Sequence, residues 1–410
     1  MSKKYIGLYL HVPFCLDKCR YCDFYSLACC AGCAPSDRSA LRKARKDCKD
    51  LFERYTDALL LQMEDYRDAL SDCVIDTVYL GGGTPSLLPT DCTERLLEGI
   101  YTYFSVNPEA EISIECNPAT ADRTALKALR GAGINRISIG VQSAVDGELK
   151  TLGRLHSFAD AKKCFADARA AGFENINVDL MFGLPSQTEK TLDYSIRCCA
   201  QLDPEHISLY DLRIEEGTPF ARMKEDGQLS LPDEDEDCRM YDSSVKLLGE
   251  FGYHQYEISN FAKAGMACRH NLCYWTGGEY LGLGPGAHSC FNGRRFAFIK
   301  DVDLFMTAME NPAQPCDLIA ESAPRTEKAI RDEYVMLSLR TTRGISTEEY
   351  RTTFGEDFEK KYAKLLPILI QNGFMSVSRG GTGADSSGRN YSLTPKGMFV
   401  SNYIIAEFTK

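Results

Sequence analysis

The segment Cys15-Leu16-Asp17-Lys18-Cys19-Arg20-Tyr21-Cys22 places three thiols with three and then two residues between them. Thiolates at this spacing can close on one iron–sulfur centre. The motif has no fourth cysteine, so one iron of a four-iron cubane would lack a protein ligand. The apolar residues 6–12 before it predict a buried strand, which puts the cysteines on the loop at its carboxyl end, where α/β folds place their chemistry. We therefore predict a [4Fe-4S] cluster on Cys15, Cys19 and Cys22; the alternative is three unrelated cysteines among the 18 in the chain.

Further buried strands recur through the first half of the chain. The pattern predicts strands at residues 78–80, 112–115, 137–141, 175–181 and 206–210, with helices at 55–70, 122–131 and 160–172. With the first strand this makes six, and alternation with helices predicts parallel strands joined by right-handed crossovers. Six strands, rather than eight, indicate an α/β fold with a partial (β/α)6 TIM-like barrel.

Glycines and polar side chains follow these strands on the side of the cysteines. Gly81-Gly82-Gly83 precedes Thr84-Pro85 and would let a ligand approach the backbone closely. Glu115, Gln142 and Asp179 lie at or near strand ends and could hydrogen-bond a polar ligand there. Each could equally cap a helix or complete the barrel rim.

The cysteine spacing, the strand before it and the glycine run together resemble the radical S-adenosylmethionine (SAM) superfamily. In that superfamily SAM occupies the open iron, and an electron from the cluster breaks the sulfonium bond to give a 5′-deoxyadenosyl radical. Nearly the whole chain resembles, more narrowly, the coproporphyrinogen III oxidase-like (HemN/HemW) family. The resemblance implies that the SAM and cluster site includes Tyr9, Tyr21, Gly82, Gly83, Thr84, Glu115, Gln142, Arg154 and Asp179.

Two features separate the two branches of that family. Oxidases of the HemN type resemble one another in a further cysteine two positions after the last cluster ligand, and this chain has Phe24 there. The run Arg269-His270-Asn271-Leu272-Cys273-Tyr274-Trp275 fits the His-Asn-x-x-Tyr-Trp signature of HemW and holds the only tryptophan of the chain. Both features favour the HemW branch, whose members are heme chaperones.

The signature also has a physical interpretation. His270 could be an axial ligand of heme iron, and Tyr274 and Trp275 could cover a porphyrin face. Cys268 or Cys273 could be the ligand instead, and His270 could simply be a hydrogen-bonded residue beside a core Tyr-Trp pair. The glycine-rich loop 282–288 matches a family loop at the mouth of the active site. Its His288 is a second ligand candidate, for which we favour a structural role.

The resemblance implies a heme chaperone that binds the cluster, SAM and heme, takes electrons from a donor protein and delivers heme to haemoproteins, respiratory enzymes among them. One alternative is an oxygen-independent coproporphyrinogen III oxidase, in which the radical abstracts a propionate hydrogen and carbon dioxide leaves. Another is a radical SAM enzyme that acts on heme itself. Whether the chain is an enzyme stays open, and we assign no catalytic residue.

The composition of the chain limits which classes of partner it can have. The chain has 410 residues, 44% of them hydrophobic and 26% charged, with a formal net charge of -11. That charge argues against nucleic acid as a partner. No apolar run is long enough to span a bilayer, and residues 1–13 lack an export signal. We predict a cytoplasmic protein with reduced or metal-bound thiols; a homodimer is compatible with the sequence.

Three regions are expected. Residues 1–230 would form the radical SAM core, 231–320 a linking region that carries the signature, and 321–410 a winged-helix-like α+β domain with a lid or packing role. In that domain we predict helices at 329–339, 347–354 and 358–372, strands at 374–378 and 391–393 around a glycine- and serine-rich turn, and a helix after Pro395. The acidic run 231–237 is predicted to be a solvated helix start.

Residues 27–49 form an unusual basic segment with Cys29, Cys30, Cys33 and Cys48. An exposed basic helix with solvated charges is the favoured interpretation. A second metal site on these cysteines is the alternative.

Overall fold

A computed structural model describes residues 3–29, 38–311, 317–379 and 388–410, with side chains from Leu41 onward in the first helix. The strands of the first half are β1 (Lys4–Val12), β2 (Phe14–Cys15), β3 (Leu27–Ala28), β4 (Cys73–Gly82), β5 (Val106–Cys116), β6 (Arg136–Gln142), β7 (Asn175–Phe182) and β8 (His206–Asp211). Its helices are α1 (Arg38–Asp47), α2 (Lys49–Tyr66), α3 (Thr90–Tyr103), α4 (Arg123–Gly131), α5 (Asp146–Leu152), α6 (Phe158–Ala170), α7 (Glu189–Ala200) and α8 (Pro219–Glu225), and residues Pro85–Leu87 form one 3₁₀ turn.

Six parallel strands form the centre of the main sheet, in the order β1-β4-β5-β6-β7-β8. Each predicted strand lies within one of them, so the predicted (β/α)6 arrangement is confirmed. Because all six run in the same direction, their carboxyl ends meet at one edge, beside the cysteine loop that follows β1.

Side chains alternate along these strands between an apolar face and a polar face. Ile137 and Ile139 of β6 belong to the hydrophobic core, while Ser138 between them hydrogen-bonds Asp179 of β7. Tyr9 of β1 is in register with Tyr79 of β4, and the two rings stack with centroids 6.3 Å apart. The apolar face packs against the helices, so polar side chains fill the inside of the partial barrel.

The next part of the chain extends this sheet at both edges. Its strands are β9 (His254–Gln255), β10 (Asn260–Ala262), β11 (Tyr280–Leu283), β12 (His288–Phe291), β13 (Arg294–Phe298) and β14 (Ile319–Pro324), and its helices are α9 (Glu234–Glu250), α10 (Arg269–Trp275) and α11 (Val302–Glu310). Strand β11 pairs in parallel with β1 and is followed by antiparallel β12, β13 and β14, while β10 and β9 continue from β8. The acidic run begins α9 as expected, with Asp233 as its N-cap.

The last part is a small α+β unit. It contains α12 (Glu327–Leu339), β15 (Ile345–Ser346), α13 (Thr347–Phe354), α14 (Phe358–Lys361), α15 (Leu366–Gln371), β16 (Met375–Arg379), β17 (Arg389–Leu393), α16 (Pro395–Phe399) and α17 (Ser401–Phe408). Strands β15, β17 and β16 form a three-stranded sheet. The prediction of one helix over 358–372 is wrong: α14 ends at Lys361, and Pro367 has no N–H with which to continue the hydrogen bonds of that helix. The chain therefore starts a new helix, α15, with Pro367 in its first turn.

The turn predicted between β16 and β17 falls mostly on residues outside the described ranges. Within those ranges, no helix combines the length and the apolar content that crossing a membrane requires.

Candidate functional site

The cysteine loop lies at the carboxyl end of β1. Cys15 is buried, Cys19 and Cys22 are half-buried, and all three are free thiols. The Arg154 guanidinium donates a hydrogen bond to Cys19 Sγ at 3.5 Å. Thr84 Oγ1 donates one to Cys15 Sγ at 3.5 Å. These donors would stabilise thiolates, which burial otherwise disfavours: it raises the pKa of Cys22 to about 11.

The three thiols fit the ligand requirements of an iron–sulfur cluster. Within the described part of the chain, no three His, Cys, Asp or Glu side chains are grouped so that they could hold one metal ion. Each cysteine of a cubane binds a different iron, so its sulfurs need not converge on one point. Three free thiols on one loop, two of them with hydrogen-bond donors, therefore fit a [4Fe-4S] cluster.

The glycine run is tied to this loop by the backbone. Gly83 N–H donates to Val12 O at 2.8 Å, and Thr84 N–H donates to Phe14 O at 2.7 Å. A Cβ on Gly83 would lie 2.7 Å from Phe14 O. Gly82 has a φ of 114°, and a Cβ there would lie 2.6 Å from the ring of His11. Glycine is thus required where the end of β4 meets the cluster loop.

Two half-buried carboxyl groups, those of Glu115 and Asp179, lie inside the barrel. Glu115 accepts hydrogen bonds from Gly82 N–H at 3.2 Å and from the Tyr79 hydroxyl at 3.0 Å. Asp179 accepts hydrogen bonds from Ser138 at 2.9 Å and from an Asn177 amide at 2.8 Å. Burial, helped by the charge of Asp179, raises the pKa of Glu115 to about 7. Both carboxyls keep acceptor capacity for the amino or hydroxyl groups of a ligand.

Buried polar atoms without partners cluster at the end of β6. Gln142 has a φ of 62°, and its buried Oε1 has no hydrogen-bond partner among the described residues. Nε of Arg154 is also buried without a hydrogen-bond partner among the described residues. The two terminal nitrogens of Arg154 donate hydrogen bonds, one to Cys19 Sγ and one to Gly140 O at 2.9 Å. Unpaired buried polar atoms and left-handed non-glycine backbone both cost free energy, and a ligand that paired with these atoms would offset part of that cost.

Of these features, Gly82 and Glu115 border a cavity of about 460 Å³ at the mouth of the barrel, whereas the three cluster cysteines, Gln142, Arg154 and Asp179 do not line it. Its lining residues are Tyr9, His11, Asp23, Phe24, Tyr25, Gly82, Glu115, Tyr274, Tyr280, Gly286, His288 and Lys300. Residues predicted from the sequence thus share the cavity with residues that sequence reasoning did not assign. Tyr21 lies close to Arg154 and the cysteines, and burial and the Cys19 charge raise its pKa.

The His-Asn-x-x-Tyr-Trp signature lies in α10, and its side chains face different parts of the structure. His270 is 1% exposed, and its ring nitrogens pair with Thr77 Oγ1 at 2.8 Å and the Tyr274 hydroxyl at 2.7 Å. Tyr274 reaches the barrel cavity. Trp275 instead lines a separate cavity of about 340 Å³ against α12, with the Arg340 guanidinium 5.9 Å from its ring centroid.

Heme ligation by His270 therefore stays a prediction, and it would require one ring nitrogen to give up its hydrogen bond and the buried ring to become accessible. The alternative thiol ligands are also directed elsewhere. Buried Cys268 donates to Glu111 Oε1 at 3.3 Å, and Cys273 donates to Glu279 O at 3.5 Å. Neither thiol lines the barrel cavity.

The basic segment is only partly described. Cys30 and Cys33 lie outside the described residues, so a four-cysteine metal site stays a prediction. Burial and the neighbouring Cys48 thiol raise the pKa of Cys29 to about 12. The expectation of solvated charges along α1 is wrong at Arg45. Its guanidinium donates to the carbonyls of residues 86, 87, 88 and 120, because the turn after the glycine run and the loop after β5 leave these acceptors open.

Sequence reasoning missed Tyr79, Tyr25 and Lys300. Tyr79 could have been found, because it alternates with Val78 and Leu80 on a buried strand and must face the opposite side from them. Tyr25 and Lys300 join the site through the fold of distant segments: the Tyr25 hydroxyl accepts a hydrogen bond from Val302 N–H at 2.9 Å. No local pattern marks such a contact.

Comparisons with known proteins agree with this geometry. Residues 9–199 match the family model of the radical SAM superfamily, and residues 326–400 match that of the HemN C-terminal domain. The chain is 33% identical to the heme chaperone HemW of Bacillus subtilis over 98% of both chains. It is 38% identical to HemW of Escherichia coli over 69% of both. The coproporphyrinogen III oxidase HemN of E. coli shares its fold, with a TM-score of 0.79 over 100% of this chain and 91% of that one at 21% identity.

Proposed function

Because this chain belongs to the radical SAM superfamily and, within it, to the HemN/HemW family, we propose that it is a heme chaperone that carries heme to haemoproteins. The observation that carries the proposal is the similarity to HemW of B. subtilis, which extends over 98% of both chains rather than over the barrel alone. Phe24, at the position where oxidases of the HemN type have a cysteine, supports the same branch.

Membership of the superfamily implies a [4Fe-4S] cluster and SAM. Cys15, Cys19 and Cys22 would hold the cluster, which when bound supplies the electron that cleaves SAM. Arg154 would keep the Cys19 sulfur in place through its hydrogen bond. Gly82 and Gly83 let the end of β4 approach a ligand without Cβ atoms, and Glu115 offers acceptors inside the cavity.

Unpartnered Gln142 Oε1 and Arg154 Nε would gain partners from the amino acid or ribose groups of SAM. Tyr9 lines the barrel cavity and would cover one side of the bound SAM. Tyr21, Thr84 and Asp179 would act less directly, since each already contacts a protein group beside the cluster or in the barrel.

The cargo site would be the open part of the barrel cavity, where Phe24, Tyr25 and Tyr280 present aromatic surface to solvent. A porphyrin is flat and apolar with two carboxylates at one edge, so aromatic walls with a cation on the rim suit it. We also propose respiratory haemoproteins as recipients, a donor protein that reduces the cluster, a cytoplasmic location and a homodimer.

The proposal is tested with protein whose cluster has been reconstituted under anaerobic conditions. Titration with heme should give a saturable change of the Soret band at about one heme per chain. In a parallel reaction with coproporphyrinogen III, SAM and a reductant, no protoporphyrinogen should form. Catalytic turnover to protoporphyrinogen would replace the chaperone with the oxidase, and the absence of saturable heme binding would reject the chaperone outright.

A further inference from the structure

The six histidines of the chain differ in their access to a ligand. Four are buried with at least one ring nitrogen bonded to a protein group: His11, His156, His206 and His270. His254 and His288 are exposed. His254 lies on β9, at the far edge of the sheet, and does not line the barrel cavity. His288 lies on the wall of that cavity.

We propose that His288 is the axial ligand of heme iron, with the porphyrin held at the mouth of the barrel cavity and Lys300 beside a propionate. This inference rests on the proposed function, and it names the residue that binds the cargo. It also replaces the structural role favoured from the sequence, because the described residues give the ring of His288 no hydrogen-bond partner.

The backbone fixes the position of His288 while leaving its ring accessible. His288 is the first residue of β12 and pairs with Ala297 of β13. The loop before it turns through Gly284 and Gly286, whose φ values are 91° and 79°. A histidine on a rigid strand at a cavity wall can bind iron without reorganisation of the chain.

The neighbours of His288 suit the rest of a porphyrin. A Cβ on Gly286 would lie 3.3 Å from Cβ of Tyr25 and 3.6 Å from Cγ of Lys300, so both side chains flank the same loop. Phe24 is 63% exposed and lines the cavity, so its ring offers apolar surface to a porphyrin there. Lys300 is exposed and lines the cavity, where its ammonium could pair with a carboxylate.

Other ligand types in the cavity are less suitable. Its tyrosines would have to ionise to bind iron well, and burial raises the pKa of Tyr25, Tyr274 and Tyr280. Among the residues that the structure describes, no cysteine lines the cavity. Asp23 and Glu115 also line the cavity and would repel propionates, whereas the Lys300 ammonium would attract them.

The test is a heme titration of the reconstituted full chain and of four variants, followed by absorption and electron paramagnetic resonance spectra. His288→Ala should shift the Soret band and weaken heme binding by at least about tenfold, because even indirect changes around a metal cost 10- to 100-fold. Added imidazole should restore the spectrum of the wild type in that variant. His254→Ala, the matched exposed control, should bind heme as the wild type does, and Lys300→Gln should weaken binding without moving the Soret band.

Circular dichroism will show that His288→Ala is folded, and His288→Gln gives a second variant of similar size. If the wild type binds heme and both His288 variants bind it with unchanged affinity and spectrum, the inference fails while the proposed function stands. If the wild type does not bind heme, both fail.

Discussion

Gly83→Ala should destabilise the protein and reduce its iron content. The added Cβ would lie 2.7 Å from Phe14 O and 3.0 Å from Phe14 C and N. All three are backbone atoms, so they cannot rotate away as a flexible side chain could. Forcing extra volume into a packed site costs about 1–3 kcal/mol, and we expect a loss of that size in the free energy of unfolding.

The effect should reach the cluster because Phe14 directly precedes Cys15 and forms β2 with it. A displaced Phe14 peptide would also strain the bond that it accepts from Thr84 N–H. Urea denaturation of the cluster-free protein measures the first effect. Iron and sulfide analysis after anaerobic reconstitution measures the second.

Gly249→Ala provides the matched control. Gly249 lies in α9, and a Cβ there would meet no atom within 4 Å. Alanine should stabilise this position by about 0.5–1 kcal/mol, since glycine costs more conformational entropy in a helix. The steric reasoning would be refuted if Gly83→Ala unfolded at the same or a higher urea concentration than the wild type and bound iron fully.

Three further predictions concern the cluster, pH and His270. Replacing Cys15, Cys19 and Cys22 together by alanine should remove iron and sulfide, measured by metal analysis. Glu257→Gln should lessen the loss of stability as pH rises from about 4.5 to 7, measured by urea denaturation at pH 5 and pH 8. Burial raises the pKa of Glu257 to about 7, so the folded wild type retains a proton there that the unfolded chain releases. His270→Ala should lower the free energy of unfolding by about 1–3 kcal/mol, because it removes the hydrogen-bond partner of buried Thr77 Oγ1 and of the half-buried Tyr274 hydroxyl. It should leave heme affinity unchanged, because His288 is the proposed iron ligand.

Each of these has a contradicting result. Iron and sulfide that survive in the triple variant would indicate a second centre and point to the cysteines of residues 27–49. A stability difference between Glu257→Gln and the wild type that is the same at both pH values would contradict the raised pKa. Loss of the Soret change in folded His270→Ala would return His270 to the role of iron ligand.

Local sequence patterns predicted the strands well and the helices less well. Residues 137–141 alternate so regularly between apolar and small or polar side chains that β6 could hardly be anything else. Where a helix ends depends on individual residues and not only on apolar periodicity. Residues 358–372 carry helical periodicity throughout, yet Pro367 divides them into α14 and α15. The proline was visible in the sequence, and its effect should have outweighed the periodicity.

The amino-acid sequence alone determined the six parallel strands and the cysteine loop, since apolar periodicity and cysteine spacing are local properties of the chain. Only the tertiary structure decided which side chains meet at the loop. Pairing of β11 with β1 brings His288 to the barrel mouth, more than 250 residues after the cysteines, while α10 turns His270 into the core. Periodicity reports which face of an element is buried, but not which distant element covers that face, and strand pairing supplies this information.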